Sequence, residues 1–292
     1  MHLADSLFMK FISLLILTFL WAENFAQSIS VMSYNIRLDT EADGINQWKN
    51  RTDKVIALIK KNNPDLLGVQ EALHNQMMDL QKGLSEYEFI GVGRDDGKEK
   101  GEYSAIFYKK DKFEVQFQKT FWLSETPSIP GSKSWDAAIT RVVSFALLKD
   151  KITNKSFLYA NTHFDHMGKE ARKNSATLIK IFLNGFITGA TFEKTVKEIP
   201  VLVSGDFNLE PTDEPYLTMI NGKDIVLFDA QHATDLTGTF CGFEVGKMEC
   251  RTIDYIFHSP QWKASNYKVI QDYDGKYYPS DHLPVLATFT LK

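Results

Sequence analysis

The sequence predicts an α/β (α+β) fold, two packed β-layers with helices on the outside. Three observations carry that expectation. Apolar or alternating runs of strand length recur along the chain and dominate it. Helical periodicity is confined to an early region, one long stretch in the middle and a short piece after Pro215. Hydrophobic residues make up 43% of the 292 residues, with 21 Phe among them, enough to build a sizeable core.

Taken in order, "ISVMSYNI" (29–36) reads as the opening strand. "QWKNRTDKVIALIKKNNP" (47–64) reads as a helix, because Val55, Leu58 and Ile59 form one apolar stripe and Asn62, Asn63 and Pro64 stop it. "DLLGVQE" (65–71) is a strand and "ALHNQMMDLQKGL" (72–84) a helix. "YEFIGVG", "YSAIFYK", "FEVQFQKTFWL", "ITRVVSFALLK" and "KSFLYANTHF" follow as strands, several with clear alternation. "KEARKNSATLIKIFLNGF" (169–186) is a helix with its stripe at Ala176, Ile179 and Leu183. In "IPVLVSGDFNLEP" (199–211), Val201, Leu202 and Val203 form a buried strand. If its period of two continues, Asp206 and Asn208 share a face while Phe207 turns inward. The bland alternative is a turn bracketed by Gly205 and Pro211. Strands at "TIDYIFHS", "YKVIQDY" and "PVLATFTL" complete the chain. No repeat, low-complexity stretch or Pro/Ser-rich linker interrupts it, so residues 28–292 are expected to form one domain.

Residues 1–27 read as a secretory signal peptide: Met9-Lys10 as the charged start, an apolar run from Phe11 to Trp21, and Ala26 at a small-residue exit. The run is short for a membrane span. No cysteine lies near the exit to indicate lipid attachment, so a secreted or periplasmic protein is expected. Cys241 and Cys250 are then in an oxidising compartment and could pair across "GFEVGKME". Two thiols alone make a poor zinc site. A net charge of −4 argues against a protein that coats nucleic acid. It does not exclude a nuclease, which needs only a local positive patch or a bound cation.

Apolar strands repeatedly end in groups suited to metal or phosphate. Asn35 follows "VMSY", Glu71 follows "LLGVQ", and His163 and Asp165 sit in "LYANTHFDH". Asp206 and Asn208 close "VLVSGDFN", Asp254 lies in "TIDYIF", and Asp281-His282 open the last strand. Each has a bland reading on its own. Asn35 suits a turn, Glu71 the start of a helix, a lone His a satisfied interior, and Asp281 a turn cap near Pro279 and Pro284. Six such strand ends in one chain point instead to a shared site.

The order Asn–Glu–His–Asp-x-Asn–Asp–Asp-His, with "NIR", "QE", "GDFN" and "SDH", resembles the endonuclease/exonuclease/phosphatase superfamily over residues 29–291. The resemblance implies a four-layer fold, a sandwich of two mixed sheets flanked by helices, with the site at one edge. It implies phosphate-ester hydrolysis by single-step, in-line attack of water, assisted by Mg²⁺ or Mn²⁺. Hard oxygen donors suit those ions, and a cation lowers the barrier by neutralising charge on the phosphate and the leaving oxygen. Carried over by position, Glu71 is the direct metal ligand, with Asn35 beside it and Asp281 through water. Asp206 is the water-activating carboxylate and Asn208 the amide that holds phosphate. His282 contacts the phosphate, Asp254 fixes its ring and favours the imidazolium, and His163 binds phosphate or protonates the leaving group.

Arg37 stands where apurinic-site endonucleases carry Asp, and the His163 position favours the deoxyribonuclease, sphingomyelinase and phosphatase branches. "SWDAAITRVVSFALL" and "NTHFDHMGKEAR" look like exported bacterial members. Arg141 and Arg172 are candidates for a phosphate clamp, or else solvated or ion-paired arginines. Asp165 and His166 hold a second ion or order their loop. Tyr277 and Tyr278 wall the substrate or merely pack. The substrate is a nucleic acid, nucleotide, sugar phosphate or lipid head group; no stable protein partner is implied, and a monomer is expected. Alternatives are a sphingomyelinase-like lipid phosphodiesterase and a catalytically degenerate binding module. Against the latter stands the full polar set, since unpaired buried charge is costly. A two-metal calcineurin-like phosphoesterase would need an early Asp-x-His and a Gly-Asn-His, and neither is present.

Overall fold

The computed structural model describes residues 28–188, 199–221, 225–231 and 237–292. The signal-peptide expectation for 1–27 lies outside the described residues. Strands β1 (Ser28–Asn35), β2 (Leu66–Ala72), β3 (Tyr87–Ile90), β4 (Tyr103–Lys109), β11 (Trp262–Val269) and β12 (Val285–Leu291) form one sheet, in the order β11-β12-β1-β2-β4-β3. Strands β5 (Phe113–Trp122), β6 (Val142–Asp150), β7 (Ser156–His163), β8 (Val201–Asp206), β9 (Phe228–Asp229) and β10 (Asp254–His258) form the other, in the order β5-β6-β7-β8-β10-β9. Helices α1 (Trp48–Asn62), α2 (His74–Gly83), α3 (Lys169–Thr188) and α4 (Glu214–Ile220) connect them.

The layering follows from side-chain alternation. Leu66 and Leu67 are consecutive and both fully buried. Leu66 joins Val31, Ile106, Tyr159, Leu202 and Phe289 between the sheets. Leu67 joins Val55, Ile59, Leu80 and Phe107 beneath α1 and α2. In the second sheet, Leu202 faces inward while Val203 packs with Ile179 and Leu183 of α3. Strands covered on both faces read as continuous apolar runs, which is why "DLLGV" and "PVLV" lack alternation. The edge strand β5, half exposed, keeps it.

Each sheet contains one parallel pair, and parallel neighbours need a long crossover. β1 and β2 are joined through α1, with Asn35 opposite Gln70. β7 and β8 are joined through α3, with His163 opposite Asp206. The antiparallel pair β8–β10 sets Asp254 opposite Asp206. The ends of β1, β2, β7 and β8 and the start of β10 therefore meet at one rim.

A polar spine locks the sheets together below that rim. Gln70 Nε2 donates to Asn161 Oδ1 at 2.7 Å, and Ser204 Oγ donates to the same oxygen at 3.0 Å. Asn161 Nδ2 donates to the Val69 and Ala105 carbonyls, both at 2.9 Å. A Cβ on Gly68 would lie 2.4 Å from Asn161 Oδ1, so only glycine lets the sheets approach here.

Some boundaries differ from the sequence pattern. α2 starts at His74, because Ala72 still pairs with Tyr103 of β4. Pro215 lies inside the first turn of α4, where no N–H is needed. β11 begins at Trp262, well before "YKVIQDY", because a bulge between Ser265 and Lys268 breaks its alternation. The 3-10 turn Glu41–Asn46 and the two-residue β9 carry no periodicity that a pattern could reveal. Cys241 and Cys250 form a disulfide.

Candidate active site

A pit of about 360 Å³ opens at the rim where the strand ends meet. Glu71, His163, Asp206, Asn208, Asp281 and His282 line it. Asn35 and Asp254 are buried and bonded to those residues from behind. One Asn35 Nδ2 donates to both Glu71 Oε1 at 3.0 Å and Asp206 Oδ2 at 2.9 Å, joining the two sheets. Ligand atoms of Glu71, His163 and Asp206 lie within 4.8 Å of one another, as do those of Asp206, Asp254 and His282.

Glu71 reaches the pit through a bulge. Its φ is +63°, and the β2–β4 register shifts between Val69 and Ala72. A bulge re-aims a side chain at the cost of local strain. Its Oε2 accepts the Leu38 N–H at 3.2 Å. The Arg37 guanidinium is 3.8 Å from Glu71 and 3.9 Å from Asp281.

Asp206 and Asn208 do not share a strand face. β8 ends at Asp206, whose Oδ1 accepts the Asn208 N–H at 3.0 Å. Asn208 takes φ +49° and Phe207 is buried. A side-chain-capped turn, not the period of two, brings both to the pit. Asn208 Nδ2 donates to His163 Nε2 at 3.0 Å and to the Phe164 carbonyl at 3.1 Å. Both amide protons are thereby engaged, one by His163 and one by the Phe164 carbonyl. Nε2 of His163 also lies 3.3 Å from Asp206 Oδ2, and its buried Nδ1 has no hydrogen-bond partner.

The charge states follow from the surroundings. Burial, with Arg141 and Arg94 nearby, pushes His163 well below its usual range, so the imidazole is neutral. Burial would discharge His282 too, but Asp254 and Asp206 more than offset it and hold the ring as imidazolium. Its Nδ1 donates to Asp254 Oδ2 at 2.9 Å, and its Nε2 lies 3.7 Å from Asp206 Oδ2. Burial, then Asp254, lifts Asp206 to about 7 against the pull of His282 and Asn35. Burial raises Asp281 as well, and Glu71 adds to it.

Several candidates stand elsewhere or act differently. Asn35 turns its amide oxygen to the Arg37 N–H at 3.0 Å, and a flip would set two donors face to face. Its amide nitrogen thereby holds the two carboxylates while its oxygen accepts the Arg37 N–H. Arg172 does not line the pit; it donates to the Asp165 carbonyl at 2.9 Å, because its helical position points it at that loop. Tyr278 packs against Cys241 and Leu283 instead of walling the pit. Tyr277 pairs in isolated bridges with Glu244 and Asp274. Asp165 orders its loop by accepting the N–H groups of Ala138, Ile139, Met167 and Gly168. Those bonds outweigh burial and keep it below the usual carboxylate range. Arg141 does line the pit. It is buried, its Nε and Nη1 have no hydrogen-bond partner, and Nη2 lies 3.3 Å from His166 Nδ1.

The sequence did not single out other contributors. Glu102 lines the pit and is held by Arg94 at 2.6 Å. Arg51, buried on α1, donates to the carbonyls of Ile36 at 2.9 Å and Pro279 at 2.7 Å. It thus ties the end of β1 to the segment that carries Asp281. The disulfide loop does the same for His282. Thr239 Oγ1 accepts the Asp254 N–H at 3.1 Å, Cys241 N–H donates to the Asp281 carbonyl at 3.0 Å, and the Phe240 ring lies 4.9 Å from that of His282. An arginine inside an amphipathic helix or a threonine two residues before a cysteine carries no signal that separates it from ordinary surface sequence.

Comparison with known proteins gives a consistent picture. A model of the Endonuclease/Exonuclease/phosphatase family matches residues 32–282. A crystal structure of an endonuclease/exonuclease/phosphatase from Bacteroides vulgatus is 40% identical, covering 91% of this chain and 100% of that one, with a TM-score of 0.81. A mannosyl-6-phosphatase from Bacteroides thetaiotaomicron is 35% identical, covering 90% and 100%, with a TM-score of 0.83. Nocturnin from Drosophila melanogaster is 25% identical over 291 residues, covering 84% of this chain but only 42% of that protein.

Proposed function

Since the chain belongs to the endonuclease/exonuclease/phosphatase family, whose members are phosphoester hydrolases, we propose that the pit hydrolyses phosphate esters by direct attack of water with the help of a divalent cation. The observation that carries this reading is the position of Asp206. It is a buried carboxylate near neutrality, bonded to Asn35 and beside the His282–Asp254 pair. It faces Glu71 across the seam between the sheets.

The residues fit a cation. Glu71 and Asp281 are 13% and 14% exposed, both offer hard oxygens, and burial together with Glu71 raises Asp281. That excess negative charge is what Mg²⁺ or Mn²⁺ would balance. When bound there, the ion would neutralise charge on the phosphate and the departing oxygen.

The chain's own groups supply the rest. Asp206 orients water and takes its proton once ionised. The His282 imidazolium, fixed by Asp254, faces the charge that builds on the phosphoryl oxygens, and Arg141, which lines the pit beside Asp165, adds positive charge nearby. His163, neutral and oriented by Asn208, stands beside Asp206 at 3.3 Å. Arg37 steadies the two acidic residues at the mouth. The likeness to a mannosyl-6-phosphatase supports ester chemistry of this kind.

The 1–27 segment acts in this reading as an export signal ahead of a single catalytic domain, 28–292, and the Cys241–Cys250 bond supports an oxidising destination. The enzyme acts as a monomer. The test is a panel of p-nitrophenyl phosphate, bis-p-nitrophenyl phosphate, hexose phosphates, nucleotides, sphingomyelin, DNA and RNA, at fixed Mg²⁺ and again with EDTA. Hydrolysis of at least one ester, abolished by EDTA and restored by Mg²⁺ or Mn²⁺, is expected. No turnover of any ester, or turnover indifferent to EDTA, contradicts the reading.

A further inference from the structure

One charged pair at the pit has no part in the steps above. Glu102 lines the pit one residue before Tyr103, the partner of Ala72 across β2–β4, so it stands next to Glu71 on the same sheet. Arg94, from the β3–β4 connection, donates to Glu102 Oε2 at 2.6 Å. The arginine is fixed in turn: its N–H donates to the Glu102 carbonyl at 3.1 Å, and its own carbonyl accepts the Trp122 indole N–H at 2.6 Å. Among the described residues, Glu102 Oε1 accepts no hydrogen bond. It is the one oxygen of this pair left for an incoming group.

The surroundings limit what that group is. A second cation is disfavoured, because Arg94 and Arg141 already flank the carboxylate. A further phosphate is not favoured either, because Glu102 and Glu71 offset Arg94 and Arg141 and leave that wall no net positive charge. A polynucleotide leaving group, with a charge at every phosphate, meets that wall unfavourably. A hydroxyl does not: it donates to a carboxylate, and such charge-assisted bonds are among the strong ones. Direction agrees as well. In-line attack places water and leaving group on opposite sides of the phosphorus. Asp206 brings water from the second sheet, so the departing oxygen faces the first, where Glu71 and Glu102 sit. Ile139 and Phe240 in the same pit offer apolar surface for C–H faces.

Resting on the hydrolase reading, we propose that Glu102, positioned by Arg94, binds a hydroxyl of the leaving group, and that the substrates are phosphate monoesters of polyhydroxylated alcohols such as hexose 6-phosphates. Water's oxygen bonds to phosphorus as the bond to the sugar oxygen breaks, Asp206 takes the proton water gives up, and the sugar oxygen takes one from solvent, releasing free sugar and inorganic phosphate.

The experiment compares mannose 6-phosphate with p-nitrophenyl phosphate, whose leaving group has no hydroxyl to donate in the bound ester. Loss of a hydrogen bond to a charged group predicts that Glu102→Ala lowers kcat/KM for the sugar phosphate about 10- to 100-fold, mostly through KM. The rate on p-nitrophenyl phosphate stays within about threefold and reports an intact fold and machinery. Arg94→Lys, which keeps the charge without the same fork, shows the same split more weakly. Equal losses on both esters, or no loss on the sugar phosphate, overturn the proposal. Wild-type enzyme that hydrolyses p-nitrophenyl phosphate but no hexose phosphate also overturns it while leaving the hydrolase reading intact. Failure on every ester removes the hydrolase reading itself.

Discussion

The floor and the mouth of the pit are built on opposite principles. On the floor, Asn35, Asp206, Asp254 and His282 are all 4% exposed or less and linked by short hydrogen bonds. At the mouth, Glu71 and Asp281 are partly exposed, and Arg37, fixed by two 3.0 Å hydrogen bonds to Asp43, stands 3.8 and 3.9 Å from them. Burial makes each charge on the floor depend on its neighbours, which fixes protonation states and geometry before substrate arrives. At the mouth, the crowding of Asp281 against Glu71 gathers acidic groups that would suit an exchangeable ion. The difference teaches that one cavity combines a buried, hydrogen-bonded floor with a less buried acidic mouth, which is the basis for the division of labour proposed above.

The largest effect should come from the floor. Asp206→Asn keeps the shape but not the base, and kcat should fall about 10²–10⁴-fold at saturating Mg²⁺. The variant should be as stable as the wild type or more so above pH 7. The sign follows from the raised carboxyl: between its unfolded value and about 7 the native state binds the extra proton. Ionising Asp206 therefore costs stability as pH rises, and Asn never ionises. A thermal scan at pH 6 and pH 8 checks this. A large loss of Tm at pH 8 would instead make Asp206 a structural residue.

Asp206 and Asn208 also show how far sequence can be read. "VLVSGDFN" announced two polar groups at the end of a buried strand, and both line the pit. The route was not legible: a turn with positive φ at Asn208 replaced strand alternation, and the amide turned to His163. The layered fold was legible because strands buried on both faces must be apolar throughout. Arg172 and Tyr278 were misplaced for the opposite reason: nothing local tells a clamp from a loop tether or a packed ring. Glu102 and Arg94 escaped notice because their loop, "GRDDGKEKGE", reads as solvated charge. Only the hairpin brings the two together.

Next in size is the pH response, which separates floor from mouth. Activity at limiting Mg²⁺ should fall as pH drops through about 7, where Asp206 takes up its proton. High Mg²⁺ should move that limb to lower pH, since added positive charge favours the carboxylate. A limb unmoved by Mg²⁺ would uncouple the two regions. The smallest effect on chemistry should come from below the floor. Asn161→Ala leaves Gln70, Ser204 and two carbonyls short of a partner and should cost about 1–3 kcal/mol of stability in urea unfolding. Its kcat at low temperature should change little; a loss as deep as that of Asp206→Asn would extend the active site into the spine.

The most direct measurement is calorimetric titration of Mg²⁺ into Asp206→Asn and Glu71→Gln. If the mouth holds the ion and the floor handles the proton, Asp206→Asn keeps measurable Mg²⁺ binding, weakened only by the loss of one nearby charge, yet does not turn over. Glu71→Gln then loses most of the binding. Wild-type Mg²⁺ affinity in Glu71→Gln, or its loss in Asp206→Asn alone, would contradict the division of labour proposed for this pit.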